Sequence, residues 1–436
     1  MRLLHTVHLV LDEFSDDCIP PYVILSHRWG TLSQEVNYDD LIADRKKSSD
    51  GFAKIVNFCE KARLDGYAYC WIDTCCIDKR SSAELSEAIN SMYKWYQNAE
   101  ICFAYLNDVD RGDDMEPLCH LGGSGVVHSD FYESLWFTRG WTLQELIAPK
   151  VLVFYNKWWE RIGTRTELAE KISSRTGIHH SILCHQHELA SFSIAQRFSW
   201  AANRKTSRAE DRAYSLLGLL DIQMPLLYGE GHRALRRLQE HLLTRCKDDS
   251  LFAWSATTGI LSLSTSSGDL LAPTIEEFAD CGDVVRGLNS YRILFEISQG
   301  SLMIMLHRSF DDDVADELLG NARPAGSGQI VNRRRELVLP LGCYRKLAQI
   351  AGRGLALHLS LDEQTGEWQR SGILEIKDQW TQYTGPHNSI YTNDYLRLHI
   401  RREDSQGSSC LTIAPQDGSQ LQSIVSAPCT TPLART

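Results

Sequence analysis

The chain has 436 residues, 43% hydrophobic and 23% charged, a composition typical of a globular protein with roughly two or three domains. Its 45 Lys and Arg against 56 Asp and Glu give a net charge of −11, which argues against broad electrostatic binding to nucleic acid. No apolar run is long enough to span a membrane and acidic residues from Asp12 onward interrupt any secretory signal, so we expect a cytoplasmic protein whose 13 cysteines are mostly reduced and buried.

The first part of the chain alternates between strand and helix patterns. Strands are predicted at residues 22–25, 67–72 and 101–106, and helices at roughly 51–65 and from Ser81 onward. Ser81 and Glu84 form the capping box that marks the start of the second helix. This alternation of strands and helices predicts an α/β fold with a parallel sheet covered by helices.

The rest of the chain changes character several times. We predict an acidic, Gly-rich loop or insertion at 108–130, a short helix at 143–147, a fourth strand at 151–155, a mostly helical stretch from about 160 to 250, and a linker at 256–268. The predicted domains are an α/β core over 1–160, a helical part over 161–255, a β-rich domain over 270–405 and a flexible tail over 406–436.

Three local motifs favour structural interpretations. The Gly-x-Gly-x-x-Ala pattern at 229–234 follows a poor strand that contains Pro225, so a turn into a helix is favoured over a dinucleotide site. Residues 179–187 hold five possible metal ligands but no separated partner pair, which favours a polar surface turn over a metal site. Cys75 and Cys76 are expected to be buried thiols rather than reactive ones.

Chemically useful side chains follow the first two predicted strands. Ser26, His27, Arg28 and Trp29 come after strand one, and Asp73 comes after strand two. Ligands bind at the carboxyl ends of parallel strands, and this cation, imidazole, indole and carboxylate suit a nucleotide or its ribose. The alternative is that Trp29 belongs to the core, His27 is a hydrogen-bonded core histidine and Asp73 caps a turn. The residues alone do not favour either interpretation.

A later helix brings a tryptophan and a carboxylate together. Trp141 and Glu145 are four residues apart and would share one face of a helix. A carboxylate beside an apolar ring can have a raised pKa and can stabilise a cationic transition state. On periodicity alone, an exposed helix carboxylate is the favoured interpretation of Glu145.

Five segments of the chain resemble the heterokaryon-incompatibility (HET) domains of fungi. They are Tyr22-Val23-Ile24-Leu25-Ser26-His27-Arg28-Trp29-Gly30, Trp71-Ile72-Asp73-Thr74-Cys75-Cys76-Ile77-Asp78-Lys79, Arg139-Gly140-Trp141-Thr142-Leu143-Gln144-Glu145-Leu146, Glu210-Asp211-Arg212-Ala213-Tyr214-Ser215-Leu216-Leu217-Gly218 and Pro225-Leu226-Leu227-Tyr228-Gly229-Glu230-Gly231. The resemblance covers roughly residues 1–254, and no comparable motif identifies 270–436. It implies a trigger of programmed cell death after non-self recognition, which is a form of fungal innate immunity.

HET domains have in turn been related to TIR domains, which implies a TIR/flavodoxin-like parallel sheet with helices on both faces. Many TIR domains carry Trp-Cys-x-x-Glu-Leu, and in TIR enzymes this glutamate cleaves NAD at the nicotinamide–ribose bond. The carried-over residue here is Glu145, although Thr142 replaces the cysteine. The resemblance implies NAD or a related nucleotide as substrate, with no bound cofactor or metal, and a homo-oligomer or protein partners in death signalling.

The same resemblance gives roles to the surrounding residues and leaves two functions open. Trp29 or Trp141 would stack on a base, and Arg28 or Arg139 would hold the pyrophosphate. An NAD-cleaving enzyme predicts that Glu145 is partly buried at a pocket lined by Ser26, Arg28 and Asp73. A non-catalytic signalling scaffold predicts that side chains fill this region and that a self-complementary apolar surface lies elsewhere.

Overall fold

The computed structural model describes residues 1–31, 33–110, 130–246, 248–254 and 271–286, together with seven strands between residues 294 and 414. The chain divides into two compact units, Met1–Phe192 with Arg197–Leu238, and Ser193–Gln196 with Gln239–Thr436. Most of the predicted loop at 108–130, the linker at 256–268 and most of the tail after 405 lie outside the described residues. The predicted domain boundaries stay predictions.

The first unit contains a sheet of seven strands. In chain order they are β1 (Arg2–His5), β2 (Leu11–Glu13), β3 (Tyr22–His27), β4 (Tyr69–Trp71), β5 (Ile101–Tyr105), β6 (Leu152–Tyr155) and β7 (Arg161–Thr164), and their order across the sheet is β2-β1-β4-β3-β5-β6-β7. The neighbours β4, β3, β5 and β6 run parallel, and they correspond to the four strands predicted from the sequence, with slightly different bounds. The α/β class is therefore confirmed.

The prediction of a parallel sheet was wrong for both edges. Strand β1 is antiparallel to β4 and to β2, and β7 is antiparallel to β6, so the sheet is mixed. Strands β2 and β7 are antiparallel to β1 and β6 because the connections between these pairs are short. Residues 6–10 join β1 to β2 and residues 156–160 join β6 to β7. Such short links form hairpins, whereas a parallel pair needs a crossover of about a dozen residues.

The sheet carries helices on both faces, and three of the described helices begin with a side-chain cap. The helices that precede β6 are α1 (Tyr38–Ile42), α2 (Asp50–Leu64), α3 (Ser82–Asn98), α4 (Asp130–Glu133) and α5 (Thr142–Ile147). Ser81 accepts a hydrogen bond from the backbone of Glu84, which is half of the predicted capping box. The Glu84 carboxylate instead pairs with Arg2 at 2.5 Å and accepts from the backbone of Asp78 at 2.7 Å.

Alternation along the strands decides which helix each side chain meets. Phe58 of α2 packs edge-on against Phe103 of β5, with ring centroids 5.6 Å apart. On the opposite face, Tyr96 of α3 donates to the carbonyl of Leu25 at 3.0 Å. Successive strand residues point to opposite faces, so neighbouring residues at the end of β3 lie in different surroundings.

Helices follow β7 within the stretch predicted to be mostly helical. The helices are α6 (Ala169–Thr176), α7 (His180–Leu183), α8 (Ile194–Ala202), α9 (Asp211–Tyr214), α10 (Leu217–Leu220) and α11 (Arg233–Arg245). Gly229 and Gly231 have φ of +104° and +59° in the turn that precedes α11, and Glu210 accepts from both of their backbone N–H groups. Glycine adopts such positive φ values without the steric cost of a Cβ. In the described residues, no helix is long and apolar enough to cross a membrane.

The second unit contains an antiparallel sheet. Its strands are β8 (Val284–Arg286), β9 (Leu294–Ser298), β10 (Ser301–His307), β11 (Glu336–Arg345), β12 (Arg353–Leu361), β13 (Trp368–Ile376), β14 (Tyr395–Arg402) and β15 (Ser409–Ala414), in the order β8-β11-β12-β13-β15-β14-β10-β9. The residues between most of these strands lie outside the described part, so a β-rich domain over 270–405 remains a prediction.

Candidate active site

Glu145 lies inside the protein, on α5. Its side chain is buried with only 5% of the residue exposed, so the expectation of an exposed helix carboxylate was wrong. All six residues of α5 are buried. A helix of this length that is covered on every side has no polar face, and periodicity therefore says little about any one of its positions.

A chain of hydrogen bonds links Glu145 to the end of β3. The indole Nε1 of Trp136 donates to Ser26 Oγ at 2.9 Å, and the Ser26 hydroxyl donates to Glu145 Oε2. Ser26 and Trp136 are almost fully buried. The structure thus joins two predicted site residues that are 119 positions apart in the chain.

Burial raises the pKa of Glu145 to about 8, and the nearby charge of Asp73 acts in the same direction. Hydrogen bonds with Ser26 and Tyr96 and the positive charge of Arg139 lower the pKa but do not cancel the effect of burial. At pH 7 this carboxyl is therefore mainly in its protonated form. A carboxyl group whose pKa lies near neutral pH is suited to proton transfer. It can also act as a carboxylate once a nearby cation lowers its pKa.

His27 points to the opposite face of the sheet and meets other charges. Its Nδ1 is 3.9 Å from Asp73 Oδ1 and its Nε2 is 4.0 Å from Glu35 Oε2. Both distances exceed a hydrogen bond, and neither His27 Nε2 nor Asp73 Oδ1 has a partner among the described residues. Burial, followed by the charges of Lys54 and Lys79, holds the pKa of His27 well below its usual value, so the imidazole is neutral.

Trp29 lies at the surface beside this histidine. Its residue is 42% exposed, its Nε1 donates to Asp73 Oδ2 at 2.7 Å, and Lys79 Nζ lies 3.7 Å from the centre of its ring. The contact is a cation–π interaction. Burial raises the pKa of Asp73, while the Lys79 charge and the Trp29 hydrogen bond oppose the rise. Trp29 is thus a surface residue rather than part of the core.

The loop after β3 is held in place by a buried ion pair. Lys54 Nζ lies 2.7 Å from both carboxylate oxygens of Glu35, and the backbone N–H of Gly30 donates to the same carboxylate at 2.8 Å. Gly51 contacts this loop so closely that a Cβ there would lie 2.3 Å from the carbonyl of Gln34. Contacts of this kind keep His27 and Arg28 at the end of the strand.

Trp141 and the two predicted arginines do not surround Glu145 in the expected way. The half-buried indole of Trp141 hydrogen-bonds to Asp211, and Asp211 in turn accepts from Tyr228 at 3.0 Å. The Arg139 guanidinium donates to Ser207 at 3.3 Å. Arg28 has a buried Nε without a partner among the described residues. Trp141 was expected to share one helical face with Glu145, but its indole contacts α9 instead.

Sequence reasoning missed two residues of the buried site, Trp136 and Tyr96. Trp136 stands in an aromatic run of the sequence, and Tyr96 lies at helical spacing from Met92 on α3. The structure places Trp136 against Ser26, and Tyr96 is close enough for Glu145 to raise its pKa further, after burial. A single sequence gives no signal for either contact, because each depends on how distant segments pack.

The cysteines and histidines of the weak motifs take structural positions. Cys75 and Cys76 are buried, and hydrogen bonding to Cys76 followed by burial holds the pKa of the Cys75 thiol above its usual range. His179 caps α7 by accepting from the backbone of Ser181 at 3.2 Å. His185 contacts the buried guanidinium of Arg165. These arrangements agree with the structural interpretations favoured from the sequence.

Fold and site together define an α/β protein with a titratable carboxyl group buried at the carboxyl end of its central parallel strands. The model of the family described as heterokaryon incompatibility protein (HET) matches residues 22–122. A second model, described as a domain of unknown function (DUF8212), matches residues 233–277. No solved structure matches the chain. Residues 22–122 are thus similar to the HET family, as the sequence motifs predicted.

A curated relative is also described as an incompatibility protein. The chain is 45% identical over 239 residues to vegetative incompatibility protein HET-E-1 of Podospora anserina. The match covers 54% of this chain but 17% of that much longer relative. The shared segment is therefore a small part of HET-E-1.

Proposed function

We propose that this protein acts in fungal heterokaryon incompatibility as a cytoplasmic cell-death effector, and that its HET domain cleaves NAD at the nicotinamide–ribose bond with Glu145. The observation that carries the proposal is the buried carboxyl of Glu145, bonded to Ser26 at the carboxyl end of β3. The relative HET-E-1, a vegetative incompatibility protein, supports the biological role.

The order of the parallel strands supports a TIR/flavodoxin-like core. Numbered along the chain, β3, β4, β5 and β6 are the first to fourth parallel strands, and across the sheet they lie in the order 2-1-3-4. This is the start of the flavodoxin-like order, in which a ligand binds at the switch point between the first and third strands. Ser26 is on the first strand, paired in register with Ala104 of the third.

The chemistry follows from the charge of the substrate. NAD carries a positive charge on its nicotinamide ring, and a cation close to Glu145 would lower the raised pKa of this carboxyl and favour its ionised form. Cleavage of the glycosidic bond develops positive charge on the ribose, which a fixed carboxylate stabilises directly or through a ribose hydroxyl. The Ser26 hydroxyl, held by Trp136, donates to the carboxylate and keeps it oriented.

The experiment is NAD consumption and nicotinamide release by the full chain, with Glu145→Gln and Glu145→Ala beside the wild type. We expect turnover by the wild type and a loss of at least about 100-fold in both variants, the usual order for a removed electrostatic group. Glu60→Gln, which changes an exposed glutamate of α2, is the matched control and should keep full activity. Protein concentration is varied because the family resemblance also implies a homo-oligomer.

A non-catalytic scaffold is the second candidate, and one observation favours it. Glu145, Ser26, Trp136 and Tyr96 are all buried, which supports the alternative in which side chains fill this region. Wild-type protein that neither consumes NAD nor binds it at any concentration tested would reject the enzyme and support the scaffold.

A further inference from the structure

A second buried charge, Arg204, contacts Thr142, which lies one helical turn before Glu145. Arg204, near the end of α8, is 3% exposed, and its Nη1 donates to Thr142 Oγ1 and to the Arg139 carbonyl, each at 3.0 Å. Thr142 precedes Glu145 by three positions on α5, so the two side chains lie on the same side of the helix. The Glu145 carboxyl is near enough to raise the pKa of Arg204.

One donor of this guanidinium is left without a partner. Arg204 Nε donates to the Trp200 carbonyl at 3.1 Å, but Nη2 is buried and has no hydrogen-bond acceptor among the described residues. No carboxylate of the described residues lies within 4.0 Å of this guanidinium. A buried charged donor without a hydrogen bond costs free energy. Buried donors in native proteins are therefore almost always hydrogen-bonded.

Arg165 shows how this fold satisfies a buried guanidinium when it serves structure alone. It is 1% exposed, and its Nε, Nη1 and Nη2 all find acceptors in the described residues. These acceptors are the carbonyls of Leu183, Leu146, Ile147 and Lys150. Arg204 resembles Arg165 in burial and differs in its free Nη2, so a purely structural role leaves part of its chemistry unexplained.

Two further arginines lie close to Arg204. Arg175 donates to the Tyr132 carbonyl at 2.9 Å, just before the turn Leu135–Thr138, and its charge lowers the pKa of Arg204, second only to burial. Arg139 follows the same turn, and its charge lowers the pKa of Glu145. None of the three arginines forms an ion pair with a described residue. The turn that carries Trp136 is therefore flanked by positive charges that form no ion pair with the described residues.

We propose that Arg204, assisted by Arg175 and Arg139, forms a phosphate subsite beside Glu145. The ligand chemistry is an anion with several oxygen acceptors, because the free Nη2 of Arg204 and the forked guanidinium of Arg175 are donors that fit phosphate oxygens. The naming of the anion as the pyrophosphate of a dinucleotide rests on the proposed function. The subsite itself rests on the arginines.

The test is calorimetric titration of inorganic pyrophosphate into the full chain, without NAD. We expect wild-type protein to bind, and Arg204→Met and Arg175→Met each to weaken binding by about tenfold or more, because each loses charge-assisted hydrogen bonds. Arg204→Lys keeps the charge but not the planar donors, so it should fall between Arg204→Met and the wild type. Arg63→Met removes an exposed arginine of α2 and should bind as the wild type does.

Two outcomes would overturn the subsite. One is wild-type protein that gives no binding heat at millimolar pyrophosphate. The other is Arg175→Met and Arg204→Met variants that bind as tightly as the wild type. If circular dichroism shows that Arg204→Met does not fold, the half-buried Arg175→Met decides. Pyrophosphate binding lost in these variants, in a protein that does not cleave NAD, would retain the subsite and reject only the proposed enzyme.

Discussion

Ser26 and His27 are neighbours on one strand and serve two different environments. Ser26 faces α5 and donates to Glu145, whereas His27 faces the carboxylates of Asp73 and Glu35. Strand alternation imposes this division, since successive side chains point to opposite faces. The end of β3 thereby brings a buried carboxyl group to one side of the sheet and a neutral imidazole to the other.

Glu145→Gln is expected to change how stability depends on pH. The folded pKa of Glu145, about 8, lies above the ordinary value of 4.5, so the folded state binds more protons between these limits. Stability of the wild type should then fall as pH rises from 5 to 8, on the order of 1 kcal/mol per pH unit from this group alone. Glutamine does not titrate, so the variant should lose less stability. Urea denaturation at pH 5, 6, 7 and 8 measures the difference, and parallel curves would contradict it.

Ser26→Ala should move the pH profile of NAD cleavage. The hydrogen bond from Ser26 lowers the pKa of Glu145, so its removal raises that pKa further. Since the proposed reaction uses the ionised form, kcat/KM should increase with pH through about 8 in the wild type and through a higher pH in the variant. Trp136→Phe, which removes only the donor to Ser26, should give a smaller shift. Superimposable profiles would indicate that Ser26 does not act on Glu145.

At the scale of elements, α5 is held by the helical part rather than by its own sequence. The backbone N–H of Gly140 donates to the Lys205 carbonyl at 2.9 Å, and Thr142 and Arg139 accept from Arg204. Trp141, at the start of α5, bonds to Asp211 of α9. A six-residue helix has little stability of its own, so these contacts determine where Glu145 lies.

The Trp141–Asp211 bond gives a prediction that separates positioning from base stacking. If the indole positions α5, then Trp141→Phe and Asp211→Asn should be coupled by about 1 kcal/mol in the free energy of unfolding, and the double variant should lose little beyond either single one. A double-mutant cycle by urea denaturation measures the coupling. Additive losses, with a raised KM for NAD only in Trp141→Phe, would instead favour the stacking role predicted from the sequence.

Gly218→Ala tests the packing of α10 on α3. A Cβ at Gly218 would lie 2.1 Å from Cβ of Tyr93 and 2.5 Å from its Cγ, atoms that cannot move without the helix backbone. We expect a loss of about 1–3 kcal/mol, the usual cost of overpacking. Gly30→Ala is the control, since a Cβ there would first meet the flexible end of Gln34 at 3.4 Å. A Gly218→Ala denaturation midpoint equal to that of Gly30→Ala would contradict the described packing.

At the scale of the whole molecule, the buried cysteines act as core residues. In the described residues ten are free thiols, and those buried in the two units include Cys59, Cys70, Cys281 and Cys343. Burial raises the pKa of Cys70 and Cys343 well above the usual value, which keeps these thiols protonated and slow to react. The thiols therefore act as small apolar side chains in both units.

Alkylation of the native protein, followed site by site with mass spectrometry, should reflect this burial. Among the described cysteines, exposed Cys18 should react first and partly exposed Cys184 and Cys246 next, while the buried ones should react only after denaturation. Rapid labelling of Cys70 or Cys102 in the folded protein would contradict the described core.

The sequence predicted the parallel centre of the sheet because its strands are uniformly apolar and separated by amphipathic helices. The edges were missed because β1 and β7 are short, and each holds a charged or polar residue among few apolar ones. Ser26 and Glu145 were proposed together through the family motifs. Arg204 was not, since its contact with Thr142 spans 62 positions and no local pattern signals such a contact. The periodicity of a single sequence does not predict contacts that depend on tertiary packing.

The alternation of side chains at the end of β3 also restricts the number of residues in this strand. Strand β3 is paired on both sides, to β4 and to β5, with Tyr22 opposite Tyr69 and His27 opposite Tyr105. A single residue inserted or deleted between these two positions would turn the imidazole towards Glu145 and the hydroxyl towards Asp73. Homologous proteins that use this site should therefore tolerate substitutions in the strand far better than a change in its number of residues.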